Sequence, residues 1–223
     1  LHSPRVHPAV LGFLRAGAVA IDVGANLGEW TLPLSHAVGA TGRVLAFEPA
    51  PRSAAALEAT LAANALRQTE VFRCAIGDHD GTAEFAVPVV TSARIDTGTA
   101  HLGPASSGYE ALRVPLRSLD SLAAEVGLER LELIKIDVEG NERQVLDGAA
   151  SILKRWRPVL VIETGHEAKG SRPAIRERLQ GLGYRILGIL LDHGMAAADW
   201  PAYVALEPPF RAGDAHNLLL VPD

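Results

Sequence analysis

A glycine-containing turn after the first apolar segment constrains this chain more than any other feature. Residues 21–28 read Ile-Asp-Val-Gly-Ala-Asn-Leu-Gly, and a helical pattern follows them. An apolar run, a tight turn and a helix start predict a strand, a loop and a helix N-terminus. Glycines let the backbone bend sharply and approach a ligand, and the free N–H groups of a helix start favour a carboxylate or another anionic group. The motif therefore predicts a ligand site at the end of the first strand.

A second apolar run, over 44–47, ends at Glu48, which lies 20 residues after Gly28. An acidic side chain at this place can accept hydrogen bonds from both hydroxyls of a ribose. The dinucleotide fingerprint is Gly-x-Gly-x-x-Gly, whereas here the glycines are four residues apart and Asn26 lies between them. Asn26 can adopt a left-handed conformation, but its side chain occupies space that a pyrophosphate needs. The motif favours a smaller group, such as the methionine part of S-adenosylmethionine; a dinucleotide or a purely structural turn stays open.

Strand and helix patterns alternate along nearly the whole chain. The main strands are predicted at 19–24, 43–48, 69–75, 131–137, 158–163, 184–190 and 217–221, and the main helices at 28–39, 52–65, 118–126, 141–156 and 172–182. Such alternation is typical of a parallel sheet with helices on both faces. No helix is predicted between the last two strands, so the last strand should pair antiparallel. We expect an α/β fold with a seven-stranded, mostly parallel sheet and an antiparallel last strand.

One domain over residues 1–223 is expected, with 1–18 as a lead-in to the first strand. A turn at 77–81 predicts a hairpin between the third strand and a short strand at 82–87. The polar and glycine-rich segment 88–113 interrupts the alternation. A connection of this length is usually functional or mobile, and we predict a loop on the substrate side.

Composition limits the partners. The formal net charge of −5 argues against a broad nucleic-acid surface. No apolar run approaches the roughly 20 residues that a membrane helix needs, so no membrane contact is expected. The single cysteine, Cys74, excludes an internal disulfide and is compatible with the reducing cytoplasm, where we place the protein.

Acidic residues stand at or near the carboxyl ends of four predicted strands. They are Asp22, Glu48, Asp137 with Glu139, and Glu163, which His166 follows three positions later. Ligands of open α/β sheets bind beyond the carboxyl ends of the strands, which predicts that these side chains face a common site. For Asp137 and Glu139, capping of the next helix is the structural alternative.

Methyl transfer from a sulfonium donor requires aligned reactants and, for many acceptors, removal of a proton. His166 suits the base because its ordinary pKa lies near neutrality, and Asp137 or Glu163 could serve instead. Together these three could hold Mg²⁺, although the pattern favours a reaction without metal. Lys135 shares a strand face with Asp137, either as a buried ion pair or to orient a carboxylate near the cofactor.

These motifs resemble those of the FkbM-type methyltransferases, which use S-adenosylmethionine and have the class I Rossmann-like fold. The matching segments are 21–28, 42–49, 75–78, 133–142, 145–149 and 158–163. Many methyltransferases share the first of these, whereas Ile-Asp-Val-Glu-Gly at 136–140 is more specific to the family. The resemblance extends from about Phe13 to Val221.

The resemblance implies a donor site that begins at the glycine turn and ends at the third strand. Its residues would be Asp22, Gly24, Ala25, Asn26, Gly28, Thr31, Glu48, Pro49, Ala75, Ile76 and Asp137. The turn would hold the methionine end, Glu48 the ribose, and Ala75 with Ile76 the adenine. The candidate catalytic residues are Asp137, Glu139, Glu163 and His166, without a bound metal.

The expected reaction is O-methylation of a hydroxyl on a small molecule, such as a natural product or a sugar. N-methylation, methylation of RNA or protein, and non-catalytic donor binding as a partner protein stay open. The chain lacks a Tyr-x-x-x-Lys pair, which argues against a nicotinamide-dependent reductase. The expected partner is a small-molecule acceptor, and a homo-oligomer is left open.

Overall fold

The computed structural model describes residues 6, 8–89, 100–164, 171–191, 194–205 and 216–223. The strands are β1 (Val19–Val23), β2 (Arg43–Phe47), β3 (Thr69–Phe72), β4 (Ala75–Ile76), β5 (Gly81–Pro88), β6 (His101–Leu102), β7 (Tyr109–Arg117), β8 (Leu133–Ile136), β9 (Val159–Thr164), β10 (Tyr184–Leu191), β11 (Gly194–Ala196) and β12 (His216–Pro222). The helices are α1 (Pro8–Leu11), α2 (Thr31–Val38), α3 (Pro51–Ala63), α4 (Leu119–Glu125), α5 (Glu142–Asp147), α6 (Ala150–Trp156), α7 (Ser171–Gly181) and α8 (Trp200–Ala205).

Within the described residues, the larger sheet has eight strands in the order β11-β10-β12-β9-β8-β1-β2-β3. From β9 to β3 all neighbours are parallel, and β12 lies antiparallel between β9 and β10. The mostly parallel α/β sheet and its antiparallel last strand are therefore confirmed. The count of seven strands was one too low, because the three-residue β11 pairs with the end of β10. Its Gly-Met-Ala sequence gives no strand pattern.

Apolar side chains cover both faces of the central strands. Ile21 of β1 and Ile134 of β8 lie in one buried cluster with residues of α4, α5 and α6. Ala20 and Leu133, one position earlier on each strand, lie in a second cluster with residues of α2. A strand that is buried on both faces has a continuous run of apolar residues, and such runs allowed these strands to be predicted from the sequence. Two charged residues interrupt these runs, and both belong to the candidate site described below.

In the part of the chain that the structure describes, a second sheet has four strands in the order β4-β7-β5-β6. The predicted hairpin between the third strand and 82–87 is wrong, because β5 pairs with β6 and β7 instead. The third strand itself is split: β3 pairs with β2, and β4 pairs with β7. Part of segment 88–113 is thus strand rather than loop. Residues 90–99 lie outside the described part, so a substrate-side role for this segment stays a prediction, as do the domain limits.

The helix predicted over 141–156 consists of two helices, α5 and α6. The carboxylate of Asp120 accepts hydrogen bonds from the backbone N–H groups of Ser151 and Ile152, in the first turn of α6. Between the helices, a Cβ on Gly148 would overlap the carbonyl oxygen of Gly77. The chain can therefore approach the segment before β5 only with a glycine here.

Helix α8 lies between β10 and β12, where the sequence predicted none, because its six residues are too few to give a helical pattern. Among the described helices, none is both long and apolar enough to cross a membrane.

Gly148→Ala should lower the free energy of unfolding by about 1–3 kcal/mol, because the new methyl group overlaps backbone rather than a flexible side chain. Urea denaturation followed by circular dichroism would measure the change. Gly181→Ala, at the exposed end of α7 with no heavy atom within 4 Å of the new Cβ, is the matched control. Equal stability of both variants would contradict the packing argument.

Candidate active site

The carboxyl ends of β1, β2, β8 and β9 border a cavity of about 280 Å³. Nine of the residues proposed from the sequence line it: Gly24, Asn26, Glu48, Pro49, Ala75, Ile76, Asp137, Glu139 and Glu163. The acids at the strand ends therefore meet at one place, as the parallel arrangement predicted. His166 lies outside the described residues, so its part in the site stays a prediction.

The remaining four proposed residues lie in the turn or pack against it and do not line the cavity. Thr31 donates a hydrogen bond of 2.6 Å from Oγ1 to Oδ2 of Asp22, and both side chains are buried. Ala25 packs in a small apolar cluster. A Cβ on Gly28 would lie 2.6 Å from each of two leucine side chains. These residues fix the shape of the turn, and a direct contact with a cofactor stays a prediction for them.

The turn packs closely against the ends of β2 and β8. Gly24 has a φ of +76°, and a Cβ there would overlap the carbonyl oxygen of Asp137. The backbone N–H groups of Gly24 and Ala25 both donate to the carbonyl oxygen of Phe47, at 3.0 Å. Asn26 also has a positive φ, of +46°. A glycine is required at position 24 because the chain approaches β8 so closely.

Glu48 lines the cavity and is held by the backbone. Its Oε2 accepts a hydrogen bond of 2.8 Å from the N–H of Asn26, and its Oε1 accepts one of 2.8 Å from the N–H of Ala50. Burial raises the pKa of this carboxyl, although the two N–H groups act in the opposite direction. Each oxygen can accept a further hydrogen bond, so a pair of ligand hydroxyls can still bind.

Lys135 is fully buried below the turn. Its Nζ donates a hydrogen bond of 2.9 Å to the carbonyl oxygen of Gly24 and lies 3.2 Å from Oδ2 of Asp137 and 3.4 Å from Oδ1 of Asp22. Burial alone would lower the pKa of this lysine, but the carboxylates of Asp137 and Asp22 raise it above its ordinary value. The buried ion pair that the sequence left open is therefore present, and a bond to the turn accompanies it.

Three carboxyl groups beside the turn form a further part of the cavity wall, which we call the carboxyl wall. One oxygen from each of Asp137, Glu139 and Glu163 lies within 4.8 Å of the others. Burial, followed by the nearby charge of Asp137, raises the pKa of Glu139 to about 8 and that of Glu163 to about 10. At neutral pH these two carboxyls therefore hold protons and can donate hydrogen bonds. Oε2 of Glu163 is buried without a hydrogen-bond partner among the described residues.

Hard oxygen atoms at this spacing could also surround a divalent cation. The positive charge beside Asp137 is, however, already supplied by Lys135, and Glu139 and Glu163 are neutralised by protons. A cation bound here would lower the pKa of both carboxyls and release their protons, so a reaction without metal stays a prediction.

The second sheet contributes a wall that the sequence did not reveal. Phe85 of β5 and Leu102 of β6 are cross-strand partners, and both line the cavity together with Ala100. Phe85 packs in one apolar cluster with Ala75, a residue proposed to flank the adenine. The alternation of β5 could have marked Phe85 as inward-facing, but not the sheet to which it belongs. This wall forms because strands that are distant in sequence pair with one another.

Further lining residues were also missed, namely Val23, Glu29, Phe47, Cys74 and Val138. Burial raises the pKa of the Cys74 thiol to about 11, so this thiol is neutral. The cavity thus combines a glycine turn, an acid placed for a ribose, apolar surface and a set of carboxyls. This set of groups fits a nucleoside with an amino-acid end.

Comparisons with known proteins agree with the site. The family model of the methyltransferase FkbM domain matches residues 22–186. Methyltransferase sdnD of Sordaria araneosa is 30% identical over 193 residues, which cover 74% of this chain and 73% of that protein. The 31-O-demethyl-FK506 methyltransferase FkbM of Streptomyces tacrolimicus is 29% identical over 203 residues, which cover 78% of this chain and 75% of the relative.

The crystal structure of methyltransferase FkbM from Methylobacillus flagellatus KT has a TM-score of 0.57 to this chain at 20% identity. The match covers 93% of this chain but 45% of the other, so the chain spans less than half the length of that protein. At this identity the likeness supports the fold. Together with the family match over most of the sequence, it shows that the chain belongs to the FkbM family of S-adenosylmethionine-dependent methyltransferases.

Proposed function

We propose that this protein transfers a methyl group from S-adenosylmethionine to a hydroxyl of a small molecule. The observation that supports the proposal most directly is that one cavity joins two sets of groups. Gly24, Asn26 and Glu48 suit a nucleoside donor, and Asp137, Glu139 and Glu163 form a carboxyl wall beside them. A donor and an acceptor could therefore meet inside one cavity.

The donor half of the cavity would hold three parts of the cofactor. The turn at Gly24 and Asn26 would receive the amino-acid end, and Glu48 would accept hydrogen bonds from the ribose hydroxyls. Ala75 and Ile76, with Phe85 packed beside them, would cover the adenine. When bound, S-adenosylmethionine supplies an electrophilic methyl group on a positively charged sulfur.

The acceptor half would orient a hydroxyl and receive its proton. Glu139 and Glu163 are protonated at neutral pH and would donate hydrogen bonds to the acceptor. The base is then Asp137, which is paired with Lys135, or His166. Either group would take the hydroxyl proton while the acceptor oxygen forms its bond to the methyl carbon. The bond between that carbon and the donor sulfur would break in the same step, with S-adenosylhomocysteine as the leaving group.

Transfer to oxygen is supported by the relative whose name describes it as a methyltransferase of 31-O-demethyl-FK506. A small acceptor fits the negative net charge, which is unfavourable for binding RNA broadly. N-methylation, methylation of a macromolecule and donor binding without catalysis are the alternatives that the experiment below distinguishes.

The first experiment is calorimetric titration with S-adenosylhomocysteine, with NAD as the control ligand. We expect micromolar binding of S-adenosylhomocysteine alone. Incubation with a donor labelled on its methyl group, and with panels of small hydroxyl and amine compounds and RNA, would then identify the acceptor. Label on amines or RNA alone would contradict O-methylation, and donor binding without any transfer would favour a non-catalytic role.

Glu48→Ala should weaken binding of S-adenosylhomocysteine by about 1–3 kcal/mol, because the ribose hydroxyls lose a charged acceptor. Calorimetry would measure the change in Kd. Glu58→Ala removes a carboxyl of the same type from a surface ion pair with Arg73 and serves as the control. Unchanged affinity in Glu48→Ala would refute the ribose assignment.

Asp137→Asn should lower kcat by about 10²–10⁴-fold, with a smaller effect on donor affinity, because the amide cannot accept the acceptor proton. Steady-state kinetics and calorimetry on the same preparation would separate the two effects. The control is Asp147→Asn, at the end of α5, where the carboxylate pairs with Arg143 at the surface. If Asp137→Asn keeps full turnover, His166→Ala becomes the next variant to examine for loss of the base.

Treatment with EDTA should leave the rate of methyl transfer unchanged, because Lys135 and two protons already balance the carboxyl wall. The rate would be measured before chelation, after it, and after Mg²⁺ is added back. A loss that Mg²⁺ restores would show instead that the three carboxyls hold a cation.

A further inference from the structure

We propose that Lys135 is a positioning residue, whose ammonium group holds the donor-binding turn and Asp137 in one fixed arrangement. This inference deepens the proposed function and rests on it, because it assigns the turn to the donor and Asp137 to the acceptor. It goes beyond a stabilising ion pair, since it makes the geometry of the reacting groups depend on one buried cation.

The contacts of the ammonium group carry the argument. Its shortest bond, 2.9 Å, is to the carbonyl oxygen of Gly24, which belongs to the turn. Oδ2 of Asp137 follows at 3.2 Å, and Oδ1 of Asp22 is the most distant at 3.4 Å. The ammonium thus donates a hydrogen bond to the turn and forms ion pairs with two carboxylates from different parts of the site. If Lys135 served only to neutralise the charge of Asp22, its hydrogen bond to the carbonyl oxygen of Gly24 would not be needed.

The surrounding strands leave the lysine little freedom. Asp22 and Lys135 are register partners on the adjacent parallel strands β1 and β8. The N–H of Asp137 donates to the carbonyl oxygen of Val23, which ties the end of β8 to the end of β1. Only 2% of the lysine side chain is exposed, so water does not compete for its donors. The ammonium is therefore fixed in place by the sheet.

The same network continues to the start of α2. Asp22 accepts the hydroxyl hydrogen bond of Thr31, the first residue of that helix. The turn is thus anchored at its carbonyl by Lys135 and at its far end by Asp22 and Thr31. A shift of the lysine would move the turn and Asp137 relative to each other.

Such a shift matters because methyl transfer depends on alignment. A misplacement of about 1 Å between reacting groups can lower a rate about 10²-fold. In the proposed reaction the turn sets the position of the donor and Asp137 that of the acceptor hydroxyl. One cation that contacts both would set the distance between them.

The test compares Lys135→Met with the charge-balanced double variant Asp22→Asn/Lys135→Met, and uses Lys154→Met, an exposed position on α6, as the control. Removing Asp22 together with Lys135 leaves no unpaired charge at the fully buried end of the network, and the Asp137 side chain, which is 29% exposed, keeps its contact with water. The double variant should therefore unfold near the wild-type temperature. We expect it to bind S-adenosylhomocysteine about tenfold more weakly and to turn over at least about tenfold more slowly. Wild-type affinity and kcat in the folded double variant would show that Lys135 only neutralises Asp22.

A second measurement keeps Lys135 in place, so it does not depend on the folding of a variant that lacks it. The chain has three lysines, Lys135, Lys154 and Lys169, and their ammonium signals can be observed by ¹⁵N NMR. The signal that persists in both Lys154→Met and Lys169→Met is that of Lys135. We expect slow hydrogen exchange and a shift when S-adenosylhomocysteine binds, and a second shift in Asp137→Asn. A signal that neither change affects would overturn the inference.

Failure of the inference differs from failure of the proposed function. Wild-type protein that neither binds S-adenosylhomocysteine nor transfers methyl groups would refute the proposed function. Wild-type protein that does both, together with a double variant that does both equally well, would refute only the role of Lys135.

Discussion

The close approach of the first turn to the end of β8 is the constraint on which the site depends. A side chain at Gly24 would overlap the backbone of Asp137, so the two segments can meet only with a glycine at this position. Their contact places the turn, which we propose as the donor site, directly beside the carboxyl wall. The buried Lys135 then joins the two through a carbonyl and a carboxylate. Backbone packing brings the halves together, and electrostatics fixes their relative position.

The cavity and the residues beneath it have an unusual balance of charges. Among the described residues, several carboxyl groups line the cavity or lie beneath it, and Lys135 is the cation in direct contact with two of them. The protein compensates in two ways: backbone N–H groups bind Glu48, and Glu139 and Glu163 retain protons. A positively charged ligand that enters this cavity meets a favourable potential. A sulfonium donor has such a charge, and the product that remains after methyl transfer has lost it.

The parts of the fold that the sequence predicted are those set by local pattern. Buried parallel strands read as apolar runs, and their polar ends located Glu48, Asp137 and Glu163 at one edge of the sheet. Side-chain direction was harder to infer, because Asp22 precedes the end of β1 and points to Lys135 and Thr31 rather than into the cavity. Pairing between distant segments left no local signal. The second sheet, and with it Phe85 and Leu102, could therefore not be located from the sequence.

The two sheets contribute different kinds of groups to the site. The larger sheet supplies the turn, Glu48 as the proposed ribose-binding acid, the carboxyl wall and the lysine network, all within a few residues of its strand ends. The second sheet contributes apolar surface through the cross-strand pair Phe85 and Leu102, which has no part in the charged network. Changes on that surface can reshape the cavity without disturbing Lys135 or Asp137. A family that methylates different acceptors could thus vary one sheet and keep the chemistry of the other.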